Sequence, residues 1–300
     1  MNKLIPGYRG TVNAWECDQM GHMNVQFYSA KCSQAFGHLQ NALGLSPAQI
    51  REDKKGLTIS SVRIQFKSEL HAGSVLHGFC GIREVKGEVI HGFIHLFDTA
   101  FYKLSSVFEF TAHYTDLISS EALPLPAKVR KRAEDLSDEH PKMYRPAPFA
   151  GALMPPVALD HMFESGRSSV NTWECDSFGN IEMRHIIGYF SNAVIHVLKS
   201  IGLSRGPLRG QNLGSAALDY RSDFHAPLKM SVPLATRSGL IGAEGKIFRF
   251  GHNLINLDTG KIAVTTTVLG CYFDMATRKS IPLPEEFTNY PKEKLLEAQF

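Results

Sequence analysis

The chain states one pattern twice. Trp15-Glu16-Cys17-Asp18 returns as Trp173-Glu174-Cys175-Asp176, a shift of 173 − 15 = 158 residues. At the same shift Gly21 meets Gly179, Gly44-Leu45-Ser46 meets Gly202-Leu203-Ser204, and Pro124-Leu125-Pro126 meets Pro282-Leu283-Pro284. Solenoid units are far shorter, so a period this long marks a duplicated domain. The 300 residues are enough for two domains that each bury a core. The copies part just after the shared Asp, at Gly21-His22-Met23-Asn24 against Gly179-Asn180-Ile181-Glu182. One copy is therefore expected to carry the chemistry and the other to support it.

Within a copy the hydrophobic pattern changes period. Tyr8 to Cys17 has strand character, and Asp18-Gln19-Met20-Gly21 reads as a tight turn. From Asn24 onward Tyr28, Cys32, Ala35, Leu39 and Leu43 fall on one helical face, with Gly44 as the stop and His22 or Asn24 as the cap. Strand patterns follow at Leu57–Phe66, Ser74–Val85, Val89–Phe97 and Ser106–Tyr114. The second copy repeats the order, with a helix near Arg184–Ile201 and strands near Ala216–Phe224, Val232–Leu240, Lys246–Leu257 and Lys261–Phe273. A lone helix with such a face needs a sheet curled around it. The fold class is thus α+β, with a first domain at 1–130, a linker at 131–168 holding Pro141, Pro146, Pro148, Pro155 and Pro156, and a second domain at 169–300. The tandem copy is expected to pair with the first as a pseudo-dimer.

Composition removes several function classes. A net charge of +3, with both signs interspersed, gives no nucleic-acid footprint. The one dense basic run, Lys128 to Arg132, stands beside Glu134, Asp135, Asp138 and Glu139. Five cysteines without CxxC spacing fit a reducing compartment, and Cys17 with His22 lacks the second pair of ligands that a metal site needs. No stretch approaches the roughly 20 apolar residues of a membrane span, and the first residues lack the apolar run of a secretion signal. A cytoplasmic protein with no metal, no cofactor and no membrane or nucleic-acid partner is expected.

The string Trp15-Glu16-Cys17-Asp18-Gln19-Met20-Gly21-His22-Met23-Asn24, with Tyr28 on the helix, resembles the hotdog-fold acyl-CoA thioesterases of the 4-hydroxybenzoyl-CoA thioesterase-like group. The end of the second copy adds Asp258-Thr259-Gly260-Lys261, Phe273-Asp274, Arg278 and Pro282-Leu283-Pro284. The resemblance implies two hotdog domains, an acyl-CoA substrate, and an active site where two such units meet. Asp18 would be its catalytic carboxylate and the Val25 amide its carbonyl-polarising donor. His22 and Asn24 are candidates to orient water or the acyl group. Such double units are also free to form a homo-oligomer.

The residues agree with that chemistry without settling it. A thioester needs an oxygen nucleophile or a base that makes one from water, and donors aimed at the developing oxyanion. A carboxylate before a helix start meets free amides and a favourable dipole. Equally, Asp18 suits the turn itself, and His22 and Asn24 suit a helix cap. Trp15 and Trp173 read as core, and Tyr28 as packing. His71 with His225, and Lys67 with Arg221, match at a shift of 154, the latter two as candidates for CoA phosphates. Asp176 with Glu182 leaves a second site open. An acyl carrier protein thioesterase and a non-catalytic acyl-CoA binder remain as alternatives; a hydratase would need an Asp-x-Asn-Pro-x-His string that is absent.

Overall fold

The helical face drawn from the sequence is the buried one. In the computed structural model, which describes residues 3–138, 146, 148–203 and 212–298, Cys32, Ala35, Leu39 and Leu43 of that face are 0% exposed and Tyr28 is 3% exposed. Pro141, Glu139 and Ser204 lie outside the described residues. The chain divides into two compact units, Met1–Ala147 with Asp176–Arg184, and Pro148–Cys175 with His185–Phe300.

The first unit holds β1 (Ile5–Thr11), α1 (Val25–Ala42), α2 (Pro47–Asp53), β2 (Lys55–Phe66), β3 (Val75–Lys86), β4 (Val89–Asp98), β5 (Lys103–Asp116) and α3 (Ala127–Leu136). Its strands run in the order β1-β3-β4-β5-β2, every neighbour antiparallel. Helix α1 lies on β1, β3 and β4. The approach is close at Gly7, where a Cβ would stand 2.9 Å from the Ala35 Cβ and 2.7 Å from the Cys80 Sγ. Asn24 caps α1 by accepting from the Gln26 amide, and Gly44 ends it at a φ of +87°.

The second unit repeats this with β6 (Phe163–Ser169), most of α4 (Met183–Ser200), β7 (Leu213–Phe224), β8 (Pro233–Glu244), β9 (Ile247–Asn256) and β10 (Ile262–Asp274), ordered β6-β8-β9-β10-β7. The short β11 (Ser280–Ile281) adds to β10, and α5 (Glu285–Thr288) follows. Each unit is a helix held by a curled antiparallel sheet, the hotdog arrangement. Element for element, β1 to β6, α1 to α4, β2 to β7, β3 to β8 and β4 to β9 keep the shift of 158 in both bounds.

Four expectations change. The first strand stops at Thr11 because Asn13 and Glu16 form a reciprocal capping box that turns Ala14–Glu16 into a 3-10 turn. That turn faces Glu16 inward, at 6% exposure, and Trp15 outward at 75%; Trp173 is 74% exposed for the same reason. The tryptophans are not core. Helix α3 spans residue 130, and β6 falls in the stretch read as linker. In that stretch Ala150 and Ala152 accept hydrogen bonds from Arg249 and Thr267, and Met154 and Met162 pack with Ile241 and Leu296. Lastly, the shift of 154 is overturned. Lys67 N donates to Ser105 O at 2.7 Å as His225 N donates to Ala263 O at 2.8 Å, both pairs 158 apart. Lys67 therefore corresponds to His225, Arg221 to Arg63, His71 to Lys229 and Glu69 to Pro227.

Candidate active site

The signature string becomes a loop pinned at both ends. Asp18 N donates to His22 O (3.0 Å) and Gly21 N to Asp18 O (3.0 Å), closing a turn whose Gly21 sits at a φ of +78°. Met23 N then donates to Leu70 O (2.7 Å), and Asn24 N to Glu16 O (2.8 Å), which fixes the start of α1 against the end of β2 and the 3-10 turn.

This brings Asp18, His22 and Asn24 together. One Asp18 oxygen, Oδ1, accepts the Met20 amide at 2.9 Å. The other, Oδ2, faces the Asn24 Nδ2 at 3.5 Å, the outer limit of a hydrogen bond, and the His22 Nε2 at 3.7 Å, an ion-pair rather than a hydrogen-bond distance. Because the Asn24 Oδ1 is engaged by Gln26 N at 3.1 Å, its amide hydrogens are the atoms left to turn toward Asp18. Asn24 thus caps the helix through Oδ1 and faces Asp18 through Nδ2. The Asp18 side chain is 20% exposed and that of His22 13%, a half-dry setting in which charge matters more than in water. Val25 opens α1, so its amide is one of the first-turn amides that no carbonyl of the helix can satisfy.

Two residues, Glu69 and Lys31, were not singled out in the sequence. Glu69 faces His22 Nδ1 at 3.6 Å through Oε1 and His71 Nε2 at 3.8 Å through Oε2, while His71 Nδ1–H donates to Gly21 O at 2.7 Å. Glu16 and Lys31 form a buried ion pair at 2.6 Å, with Glu16 Oε2 accepting from Asn13 N (2.8 Å). A separation of 47 residues hides Glu69 from any local pattern, and Lys31 sits on a helix face where a lysine usually reads as solvated. Tyr28 packs edge-to-face on Phe66 at 5.0 Å, and burial, ahead of all else, raises its hydroxyl pKa. Burial likewise raises the Cys17 thiol, which works against a thiolate there. Among the described residues no group of three His, Cys, Asp or Glu is arranged to hold a metal ion.

The second copy keeps the turn and changes its wiring. Asp176 Oδ1 accepts both Phe178 N (2.8 Å) and Asn180 N (2.9 Å), and Asn180 Nδ2 reaches Asp176 Oδ2 at 3.3 Å and Leu117 O at 3.0 Å. Glu182 is exposed and faces Arg184 at 3.6 Å. Of the candidates for CoA phosphates, Arg221 is held by Asp223 at 3.2 Å.

The sequence profile of the Thioesterase-like superfamily matches residues 12–133 and again 170–290, and the chain belongs to that superfamily. No curated protein sequence matches it. Among solved structures it is similar to a chain described as an oleoyl thioesterase from Lactobacillus plantarum, with a TM-score of 0.70 and 11% identity over 93% of this chain and 97% of that one. It is also similar to an acyl-ACP thioesterase from Bacteroides thetaiotaomicron (TM-score 0.62, 13% identity, 90% and 98% covered) and to a 12:0-ACP thioesterase from Umbellularia californica (TM-score 0.66, 7% identity, 90% and 95% covered). At these identities the likeness is one of fold. Among the described residues no helix is long and apolar enough to cross a membrane.

Proposed function

We propose that the chain hydrolyses an acyl-CoA thioester, with Asp18 of the first copy as the reacting carboxylate. The observation that carries this reading is the division of labour between the two Asp18 oxygens. Oδ1 is tied to the turn, and Oδ2 faces Asn24 and His22 at the start of α1. In the reaction a C–O bond forms at the thioester carbon, the C–S bond breaks, and the departing sulfur takes a proton. Asp18 Oδ2 either attacks that carbon itself or takes a proton from the attacking water. The Val25 amide, first of a helix whose dipole is positive at that end, is the donor offered to the developing oxyanion. Asn24 holds Asp18 or the water, and His22 Nε2 exchanges the proton that ends on sulfur.

The likeness over most of the chain to structures described as acyl-ACP thioesterases favours a second reading, in which the same acyl group arrives on a carrier protein. Thiol release measured on matched short, branched, aromatic and long acyl groups, each on CoA and on carrier protein, separates the two. Hydrolysis confined to carrier-bound substrates would remove the CoA reading, and tight acyl-CoA binding without thiol release would remove both. Label in the Asp18 carboxylate after a single turnover in isotopically labelled water would establish direct attack, with water opening the acyl-Asp18 anhydride at the Asp18 carbon; label in the acid product alone fits base catalysis or opening at the acyl carbon.

A further inference from the structure

We infer that His71 is a positioning residue for Asp18. Its Nδ1–H holds the Gly21 carbonyl, and this bond sets the turn so that Asp18 Oδ2 faces the start of α1. The inference deepens the proposed thioester hydrolysis and rests on that reading for its kinetic consequence, though not for the contact itself.

The bond is short and its direction is fixed. His71 Nδ1 stands 2.7 Å from Gly21 O, and a carbonyl oxygen only accepts, so the hydrogen is on Nδ1. The other ring nitrogen stands 3.8 Å from Glu69 Oε2, too far for a hydrogen bond, and has no part in that assignment.

Gly21 is where the turn can give way. It sits at a φ of +78°, and a glycine leaves such a setting at little cost. The peptide joining it to His22 carries the carbonyl that His71 holds. That peptide lies within the turn closed by Gly21 N on Asp18 O and by Asp18 N on His22 O, both at 3.0 Å. Rotating it would strain the bonds that seat Asp18.

His71 is itself held. Its N donates to Ser74 Oγ at 3.1 Å, and its O accepts from Ser74 N at 2.9 Å. Gly73 N donates to Val12 O (2.8 Å) and Val12 N to Ser74 O (2.9 Å), which ties these residues to the chain leaving β1. Leu70 O, one residue earlier, accepts from Met23 N at 2.7 Å. Two consecutive residues thus grip the Asp18 loop, one at the turn and one just before the helix.

The duplication shows what the grip is for. In the second copy the turn is braced from within, where Asn180 Nδ2 donates to Asp176 Oδ2 at 3.3 Å and occupies that oxygen. His22, at the matching position, stands 3.7 Å from Asp18 Oδ2 through Nε2, beyond hydrogen-bond reach. A turn that keeps this oxygen for chemistry takes its brace from outside, and His71 supplies it. The copy braced from within has Lys229 in the place of His71.

The test compares His71→Leu with His71→Asn, whose Nδ2, like the histidine Nδ1, is bonded to Cγ and donates. In His71→Leu kcat should fall about tenfold, the upper range of one hydrogen bond's net contribution, with KM within about twofold. His71→Asn should recover most of that loss, to within about threefold of wild type. Nitrogen NMR of the neutral His71 ring should show its hydrogen on Nδ1. Order parameters of the Gly21 and His22 amides should drop in His71→Leu and hold in His71→Asn. Equal thermal unfolding would show that the variants are folded; should His71→Leu not fold, His71→Ala takes its place. A folded variant lacking the donor with wild-type kcat, a loss confined to KM, or a neutral ring protonated on Nε2 overturns the assignment. Should wild type release thiol from no thioester, the proposed function falls, and the ring spectrum with the two amides upholds or overturns what His71 does.

Discussion

Asp18 and Asp176 stand in the same turn, closed by the same glycine, yet their second oxygens meet different groups. In the first copy Oδ2 faces the capping amide of α1 and the His22 imidazole. In the second, Asn180 reaches back to Oδ2 at 3.3 Å, and Oδ1 holds two backbone amides instead of one. A duplicated loop can thus keep its shape for local reasons while only one copy retains an oxygen aimed at the helix start. The largest test of this comparison is Asp18→Asn against Asp176→Asn. The first should lower thiol release by at least about 100-fold, and the second should leave it within about threefold. Equal losses from the two would mean that the copies share the chemistry.

The next contrast lies beneath the loop. Glu16 and Glu174 both close a capping box on the residue three before them, but Glu16 is answered by Lys31 at 2.6 Å and Glu174 by the Tyr189 hydroxyl at 2.8 Å, two positions 158 apart. Burial first, and the bond to Glu174 second, raise the Tyr189 pKa, so that it stays a neutral donor. Removing one partner of a buried ion pair strands the other charge, so Lys31→Met should cost about 3–5 kcal/mol in denaturant unfolding. Tyr189→Phe removes the hydroxyl that donates to the Glu174 carboxylate at 2.8 Å and lies 3.4 Å from Ser169 O, and should cost about 1.5–3 kcal/mol. Lys31 also lies 5.4 Å from the Tyr8 ring centre, and Tyr8 has only Gly166 opposite it in the second copy. If Tyr189→Phe proves the more damaging, the ion pair is not what anchors the first loop.

Much of this was legible in the residues. The period of 158, the helical face from Tyr28 to Leu43 and the Asp18–Asn24 string follow from local pattern, because helix periodicity and capping act over a few positions. What was not legible depended on which strands lie side by side. Glu69 reaches His22 only because β2 ends beside the loop, and the mistaken shift of 154 arose from matching histidines without the strand lengths that fix the register. Trp15 failed for another reason. Tryptophan is mostly buried on average, but here a three-residue turn must place Glu16 inside, and Trp15 is left outside. The short α2 did carry a readable sign, Ser46 followed by Pro47, since Ser46 Oγ accepts the Gln49 amide.

A smaller contrast concerns the layer between helix and sheet. In the first copy it holds Gly7, Cys32, Cys80 and Ile94; in the second the same positions are Ser165, Phe190, Ser238 and His252. Ser165 has room for its side chain and a partner for it, Ser238 Oγ at 2.6 Å. At Gly7 a Cβ alone would press on Cys80 and Ala35. Gly7→Ser, which writes the second copy's residue into the first, should therefore destabilise by about 1–3 kcal/mol. Adding Cys80→Ser to it should recover part of that loss, and failure to do so would mean that Ala35 alone sets the spacing.

The same layer also predicts a pH dependence, carried at this position by the second copy alone. His252 is 0% exposed, stacks on Phe190 at 5.4 Å, and meets Ser238 Oγ at 2.6 Å through Nδ1. One arrangement uses every hydrogen: His252 Nδ1–H donates to Ser238, Ser238 to Ser165, and Ser165 to the Thr236 carbonyl at 3.2 Å. A second proton on Nε2 would find no acceptor among the described residues, and burial lowers the His252 pKa from 6.5 to about 3. Below pH 6.5 the unfolded chain binds a proton that the fold refuses. The stability His252 contributes is therefore whole above that pH, and falls by up to about 1.4 kcal/mol for each unit as pH drops toward 3. Ile94 occupies the matching place in the first copy and has nothing to titrate. His252→Leu should accordingly narrow the stability gap to wild type as pH is lowered from 6.5 to 5, where other titrations cancel in the difference. A gap that stays constant over that range would show that His252 takes up its proton within the fold.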